Sequence, residues 1–427
     1  MNSVVIMAIV IMALLFFKIP VFASVLGGCA VYFFLEPSVA GQIFAQRFMV
    51  AGESVAMLAI PFFTCAGIFM NYSGVTKRIM DFCAVATGNS IGGLAKVNVL
   101  LSTLMGGLSG SNLADAAMEA KMLVPEMEKH GYSKAFSTVV TACSAVITPL
   151  IPPGIAMIIY GTSANMSIAK LFIAGIGPGI ALCIAMMLMC HYISKKRGYL
   201  PMRDTKPTRH EWFTATKAAI FPLCLPIIII GGIRLGIFTP TEAGAISIIY
   251  TLVLSLVYKE FSTGVVKQVL HETVESTAKI MLIICAANVL TYILTSERIP
   301  QTITEYVVST IDNKWVFLLI VNVLLLVVGM LIEGSAAMVI LVPLLHPVAL
   351  AYGFDPIHFA MVFIFNMALG CLTPPMGTLM FVTCGITKCR VKDFVKECMP
   401  FYGLFLVVLA ILCFIPTVST FFVELMY

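Results

Sequence analysis

From residue 3 to residue 423 the chain is a succession of apolar segments parted by short polar breaks. They run near 3–17, 19–35, 54–72, 78–106, 132–165, 168–193, 218–235, 242–258, 276–295, 315–332, 356–386 and 399–423. A helix satisfies its own backbone hydrogen bonds, and about 20 apolar residues carry it across the hydrocarbon core of a bilayer. The pattern therefore predicts an all-α polytopic membrane protein with about 11–12 transmembrane helices. The composition agrees: 60% of the 427 residues are hydrophobic and 11% charged, against about 25% charged in soluble domains. A soluble enzyme, a disordered chain and a nucleic-acid-binding domain are excluded, and function must lie within the membrane.

The net charge of +5 reads as a positive-inside bias. The strongest basic run, Lys195, Lys196, Arg197, Arg203, Lys206, Arg209 and Lys217, places that loop in the cytoplasm. The N-terminal Met1-Asn2-Ser3 lacks a basic leader region, so the first apolar stretch is expected to be a retained helix. The 13 cysteines are scattered through apolar segments without a CxxC spacing, which fits small packing residues rather than a metal site. No phosphate-cradling GxxxxGK[ST] loop, zinc-binding HExxH or TVGYG carbonyl filter is present. A secondary transporter, a channel of unfamiliar type and a membrane scaffold remain.

A single offset of 222 residues lays Gly107 on Gly329, Pro125 on Pro347, Gly131 on Gly353 and Pro152-Pro153 on Pro374-Pro375. This predicts a structural repeat. Each half carries a polar interruption, GGLSGSNLADA at 106–116 and GMLIEGSAA at 329–337, followed by a long apolar segment broken by a double proline. The first pair of features predicts two hairpins, 107–127 and 329–352, that turn back at membrane depth. The second predicts two broken helices, 132–165 and 356–386, because proline removes a backbone donor and clashes with the preceding turn. Backbone groups freed in mid-membrane need a cavity or a ligand beside them. In secondary transporters such breaks face the coupling cation and the anionic substrate.

Intramembrane ionisable groups usually line a pathway or bind an ion. Asp115 and Glu333 lie in the hairpins, and at the repeat offset Glu333 falls on Ser111, so the two tips are expected to present a carboxylate and a hydroxyl to one cavity. Asp115 has two alternatives, pairing with Lys121 or capping its helix. Asn366 and Asn165, close to the breaks, are weaker candidates.

The segment GGLSGSNLADAAMEAKMLVPEMEKHGYSKAFSTVVTACSAVITPLIPPGIAMIIYG resembles the signature region of the large permease subunit of tripartite ATP-independent periplasmic (TRAP) transporters. GIFTPTEAGA at 236–245 and GFDPIHFAMVFIFNMALGCLTPPMG at 353–377 are similar to further segments of that family. The stretch SGSNLADAAMEAKMLVPEME is most similar to the sialic-acid members. The resemblance implies an elevator-type fold of two inverted repeats, each with a re-entrant hairpin and a broken helix. A transport body of 107–193 and 329–390 would move against scaffold regions 1–106 and 194–328 and a C-terminal helix, 391–427. It further implies coupling to sodium ions, no organic cofactor, residence in the bacterial inner membrane and two partners: a small four-helix membrane subunit and a periplasmic substrate-binding protein.

The family's site logic places one sodium ion at Ser109, Ser111 and Asn112, with carbonyls near Thr148 and Pro149. A second falls at the 333–335 tip, including Ser335, with carbonyls near Thr373. Substrate contacts are implied for Ser111, Asp115, Pro153, Gly154, Glu333, Pro375 and Thr378. Two positions depart from the family pattern: Glu333 stands where many members have Asp, and Gly154 where many have Ser. The expected function is sodium-driven import of an organic acid, with sialic acid first and a C4-dicarboxylate next. A cation/proton antiporter using Asp115 and Glu333, and a purely structural scaffold, are the alternatives from other classes.

Overall fold

The computed structural model describes residues 2–203 and 205–427, and among them the regular structure is helical throughout, with no strand. Eight helices are long and apolar enough to cross a membrane, and nine if the bent pair Lys134–Leu150 and Ile155–Ser163 is one span. The expected segments 3–17, 19–35 and 356–386 appear as shorter apolar helices, among them Val21–Leu35, Pro356–Gly370 and Thr378–Thr387. The polar breaks also fold: 36–53 holds the helix Gln42–Glu53, 259–275 opens the 34-residue helix Thr263–Ser296, and 296–314 holds Ile299–Thr310.

Two expected segments are each two helices. The segment 78–106 divides into Val75–Thr87 and Gly93–Ser109. Between them Gly92 takes a φ of +71° beside the Ser194 side chain, a conformation that strongly favours glycine. The segment 399–423 divides at Pro416, between Val391–Phe414 and Thr417–Met426.

The repeat is written into the helix boundaries. Adding 222 to 112–129 gives 334–351, the bounds of the helix Gly334–Ala351. The same shift carries Gly93–Ser109 to within one residue of Lys314–Leu331, and Val75–Thr87 to within two residues of Ile299–Thr310. Both double prolines have a cis bond, Pro152-Pro153 and Pro374-Pro375.

The hairpins have longer first arms than the polar interruptions suggest. The helices Gly93–Ser109 and Lys314–Leu331 are these arms, so each turn shrinks to two residues, Gly110-Ser111 and Ile332-Glu333. Gly106 and Gly107 do not end their helix. A Cβ on Gly106 would lie 2.9 Å from the Thr148 Cα, and one on Gly107 would lie 3.3 Å from the Pro152 carbonyl oxygen. The glycines thus let an unbroken helix lie close against the break. Gly329 repeats the device, its Cβ position 2.9 Å from the Gly370 Cα.

The halves are interlocked crosswise. The second arm Asn112–Lys129 packs on Thr378–Thr387, beyond the second double proline, and Gly334–Ala351 packs on Ile155–Ser163, beyond the first. Outside this body, Thr263–Ser296 packs along Val21–Leu35, Gln42–Glu53 and Ala59–Tyr72.

Candidate functional site

Each hairpin turn is fixed by the residue that caps its second arm. At the first, Gly110 adopts φ +63°, and a Cβ there would sit 2.5 Å from the Pro153 carbonyl oxygen. Ser111 then caps Asn112–Lys129 through a long 3.5 Å bond from the Ala114 N–H. The Ser111 N–H itself donates to the Ser109 hydroxyl at 3.3 Å. At the second turn, Glu333 caps Gly334–Ala351, accepting from the Ser335 N–H at 3.1 Å and the Ala336 N–H at 3.2 Å. The repeat-related pair Ser111 and Glu333 therefore do the same structural job, since each satisfies the free N–H groups of a helix start.

The two capped turns face one cavity of about 760 Å³. Its hairpin side includes Ser109, Ser111, Asn112, Glu333 and Ser335. Pro149 and Thr378 add the two broken helices. The opposite wall comes from three other helices and includes Thr64, Gly67, Ser276 and Lys279. Lys279 is the one lysine or arginine among the lining residues, and its ammonium pairs with Glu275 at 2.6 Å. The Glu333 carboxylate is held by backbone donors and the Lys279 ammonium by Glu275, so the weakly capped Ser111 helix start, with Lys279 on the facing wall, is what the cavity offers an anion.

The other sequence candidates lie elsewhere. Asp115 is fully buried behind the cavity wall, where it accepts from the Thr148 hydroxyl at 3.0 Å. It pairs with no lysine, Lys121 is exposed, and the cap is Ser111. Thr148, Pro153 and Gly154 are buried outside the lining, while Pro375 is exposed and Thr373 donates to the Leu369 carbonyl at 2.8 Å. A Cβ on Gly154 would stand 2.8 Å from the Pro149 carbonyl oxygen, so a serine there would need this turn to shift.

Asn366 donates to Asn322 on the neighbouring helix, reaching its carbonyl oxygen at 3.1 Å. Asn165 takes a left-handed φ of +53° just past Ile155–Ser163, a turn role suited to asparagine. Three features escaped the sequence reading: Lys279, Gly67 and the buried Glu119. Lys279 and Gly67 come from helices far away in sequence, with no motif to mark them. Glu119 was visible as an acid four residues beyond Asp115.

A sequence model of the family described as "Tripartite ATP-independent periplasmic transporter, DctM component" matches residues 6–418. The chain belongs to this family. It is 38% identical over 97% of both chains to the sialic acid TRAP transporter large permease SiaM of Vibrio cholerae. Identity is 36% to the C4-dicarboxylate large permease DctM of Pseudomonas aeruginosa, over 88% of both chains. The 2,3-diketo-L-gulonate large permease YiaN of Escherichia coli is also 36% identical, over 92% of both. The fold is similar to that of the YdaH transporter of Alcanivorax borkumensis, with a TM-score of 0.57 at 14% identity, covering 84% of this chain and 85% of that one. This permease is accordingly a multi-pass protein of the bacterial inner membrane and a transporter rather than an enzyme.

Proposed function

We propose that this TRAP large permease imports an organic acid, sialic acid first among the candidates, and is driven by sodium. The observation that carries the reading is the meeting of two repeat-related turns at one cavity, where the first turn presents a weakly capped helix start. The substrate carboxylate is assigned to the Ser111 turn and Lys279, where a neutral cap leaves the helix start open to an anion. One sodium ion is assigned to Ser109, Ser111 and Asn112 with carbonyls near Thr148 and Pro149. A second is assigned to Ser335 with carbonyls near Thr373. The lining polar groups, few and convergent in a mostly apolar pocket of suitable volume, fit a small-molecule site. Sodium and substrate then strengthen each other's binding by reciprocal linkage.

In this reading the transport body contains the hairpins, 93–129 and 314–351, with the two broken helices, and moves against the remaining helices. A small four-helix membrane subunit completes the scaffold, and a periplasmic binding protein delivers the acid. Sialic acid ranks first on the similarity to SiaM, whereas the relatives named for C4-dicarboxylates and diketogulonate define the competing substrates.

The test is uptake into proteoliposomes containing this chain and its small subunit, with the binding protein outside and an inward sodium gradient. Sodium-dependent sialic acid uptake that falls in Ser111→Ala and Glu333→Ala supports the reading. Uptake of succinate instead replaces the substrate. No sodium-dependent uptake of any of the three acids by the assembled complex overturns it.

A further inference from the structure

Two long helices, Ile168–Arg197 and Val391–Phe414, pack against each other and against the broken helices. Each turns one row of residues away from the protein. On Ile168–Arg197 the exposed row is Ile180, Ile184, Leu188 and Tyr192. On Val391–Phe414 it is Met399, Gly403, Leu406, Ala410 and Phe414. Steps of three and four keep such a row on one helix face. In a membrane both rows meet acyl chains, and Tyr192 suits the level where hydrocarbon gives way to headgroups.

Both rows run on into lysines, and they do so at the same end of the molecule. Lys195 and Lys196 follow Tyr192, while Lys392 and Lys396 precede Met399 at the same steps. Arg197 bonds the Glu397 carboxylate at 2.6 Å, which holds the last turn of one helix beside the opening turns of the other. The four lysines lie within five residues of that ion pair along their helices, which is about 8 Å of helix axis or less, and all four are exposed. The acids here are already taken: Glu397 by Arg197, and Asp393 by Arg390 at 2.7 Å. Among the described residues none of the four lysines pairs with a carboxylate.

Helix stability does not account for this arrangement. Lys195 and Lys196 suit the negative end of their helix, but Lys392 stands in the first turn of Val391–Phe414, at the positive end, where a cation is unfavourable. Four like charges gathered around one ion pair also repel one another. A membrane supplies the missing counter-charge. Anionic headgroups of the cytoplasmic leaflet attract lysines at the ends of membrane helices, and basic clefts between such helices hold phosphate headgroups. Lys195 and Lys196 belong to the basic run that charge bias assigns to the cytoplasm, so the patch stands at that leaflet.

We propose that the lysine-tipped cleft between Ile168–Arg197 and Val391–Phe414 binds an anionic phospholipid of the phosphatidylglycerol type. The phosphodiester lies among Lys195, Lys196, Lys392 and Lys396, and the acyl chains follow the two exposed rows. A soluble phosphate uses the lysines but leaves both rows uncovered. The continuity of lysine, tyrosine and apolar residues along one face is what commits the site to a lipid. The bound lipid braces the cytoplasmic ends of two helices that flank the broken helices, and is separate from the cavity at the hairpin turns.

The test is native mass spectrometry of the purified full-length chain, titrated with phosphatidylglycerol or with phosphatidylcholine of equal chain length. The wild type is expected to retain one phosphatidylglycerol roughly tenfold more tightly than phosphatidylcholine. The quadruple variant Lys195→Gln, Lys196→Gln, Lys392→Gln, Lys396→Gln should lose that preference. A second quadruple variant of the same net charge, Lys77→Gln, Lys206→Gln, Lys217→Gln, Lys267→Gln, should keep it. Phosphatidylglycerol should also raise the melting temperature of the wild type more than phosphatidylcholine does, and the excess should vanish in the first variant.

Equal retention of the two lipids by the wild type overturns the proposal, and that arm requires no variant to fold. So does a preference that survives the first variant, or one lost equally in the second, because net charge alone would then attract the lipid. Displacement of the lipid by an equal concentration of glycerol 3-phosphate overturns it as well, since the patch would then take a soluble phosphate. Neither measurement uses sodium or a transported acid, so a failure here is distinct from a failure of the importer reading.

Discussion

At the scale of single residues, Ser111 and Glu333 show how one repeat position can hold different chemistry. Both cap the second arm of a hairpin, but the carboxylate binds two N–H groups at 3.1 and 3.2 Å while the hydroxyl binds one at 3.5 Å. Losing a cap costs about 0.5–2 kcal/mol. Glu333→Ala is therefore expected to lower the thermal stability of the purified protein more than Ser111→Ala. A shift of equal size in both would contradict this difference between the caps. In the proposed mechanism Lys279 acts through charge rather than structure, since its pair with Glu275 is exposed and contributes little to stability. Lys279→Met should raise the KM for the acid roughly tenfold, equivalent to about 1.4 kcal/mol, with little change in maximal rate. An unchanged KM would remove Lys279 from the site.

At the scale of elements, the first hairpin turn depends on close approaches that only glycine permits. Gly110 needs both its left-handed φ of +63° and the missing Cβ beside the Pro153 carbonyl. Gly110→Ala should cost at least about 1–2 kcal/mol through the backbone alone, read as a lower melting temperature. Gly67, on Ala59–Tyr72, meets the same turn from the opposite wall, its Cβ position 2.7 Å from the Ser109 Cα. Gly67→Val is expected to slow uptake severely while expression and assembly persist, because the added atoms press on backbone that frames the cavity. Wild-type uptake in that variant would show that the wall and the turn separate freely. The double prolines and polar interruptions disclosed these elements. The lengths of the first arms were hidden, because Gly106 and Gly107 look like helix breakers until their packing partners are known.

At the scale of the whole molecule, crosswise packing of each second arm on the other half's broken helix makes the two repeats one body. Ligands held between the turns should therefore stabilise the whole protein. In the proposed mechanism sodium at 100 times its dissociation constant adds about 2.7 kcal/mol, and substrate adds more in sodium than in potassium. Melting curves of the purified protein in the two salts check this. Equal curves in both salts would argue against a sodium site at the turns. Membrane architecture and the repeat were legible because hydropathy and proline placement act locally and recur at a fixed interval. The far wall of the cavity was not, since Thr64, Gly67, Ser276 and Lys279 carry no shared motif.

The sequence by itself determined that this chain lies in a membrane, that it is built twice, and that Ser111 and Glu333 occupy equivalent positions. Those properties follow from residue type and spacing, which fix hydropathy, helix breaks and repeat offset without reference to distant contacts. The tertiary structure decided which candidates face the cavity. Asp115 is a near neighbour of the turn in sequence, and Thr148, Pro153 and Gly154 belong to the first break, yet all four are buried outside the lining, whereas Lys279 reaches it from another helix. Exposure to a cavity depends on how helices far apart in the chain are packed together. Hydropathy and spacing along one segment do not contain that information.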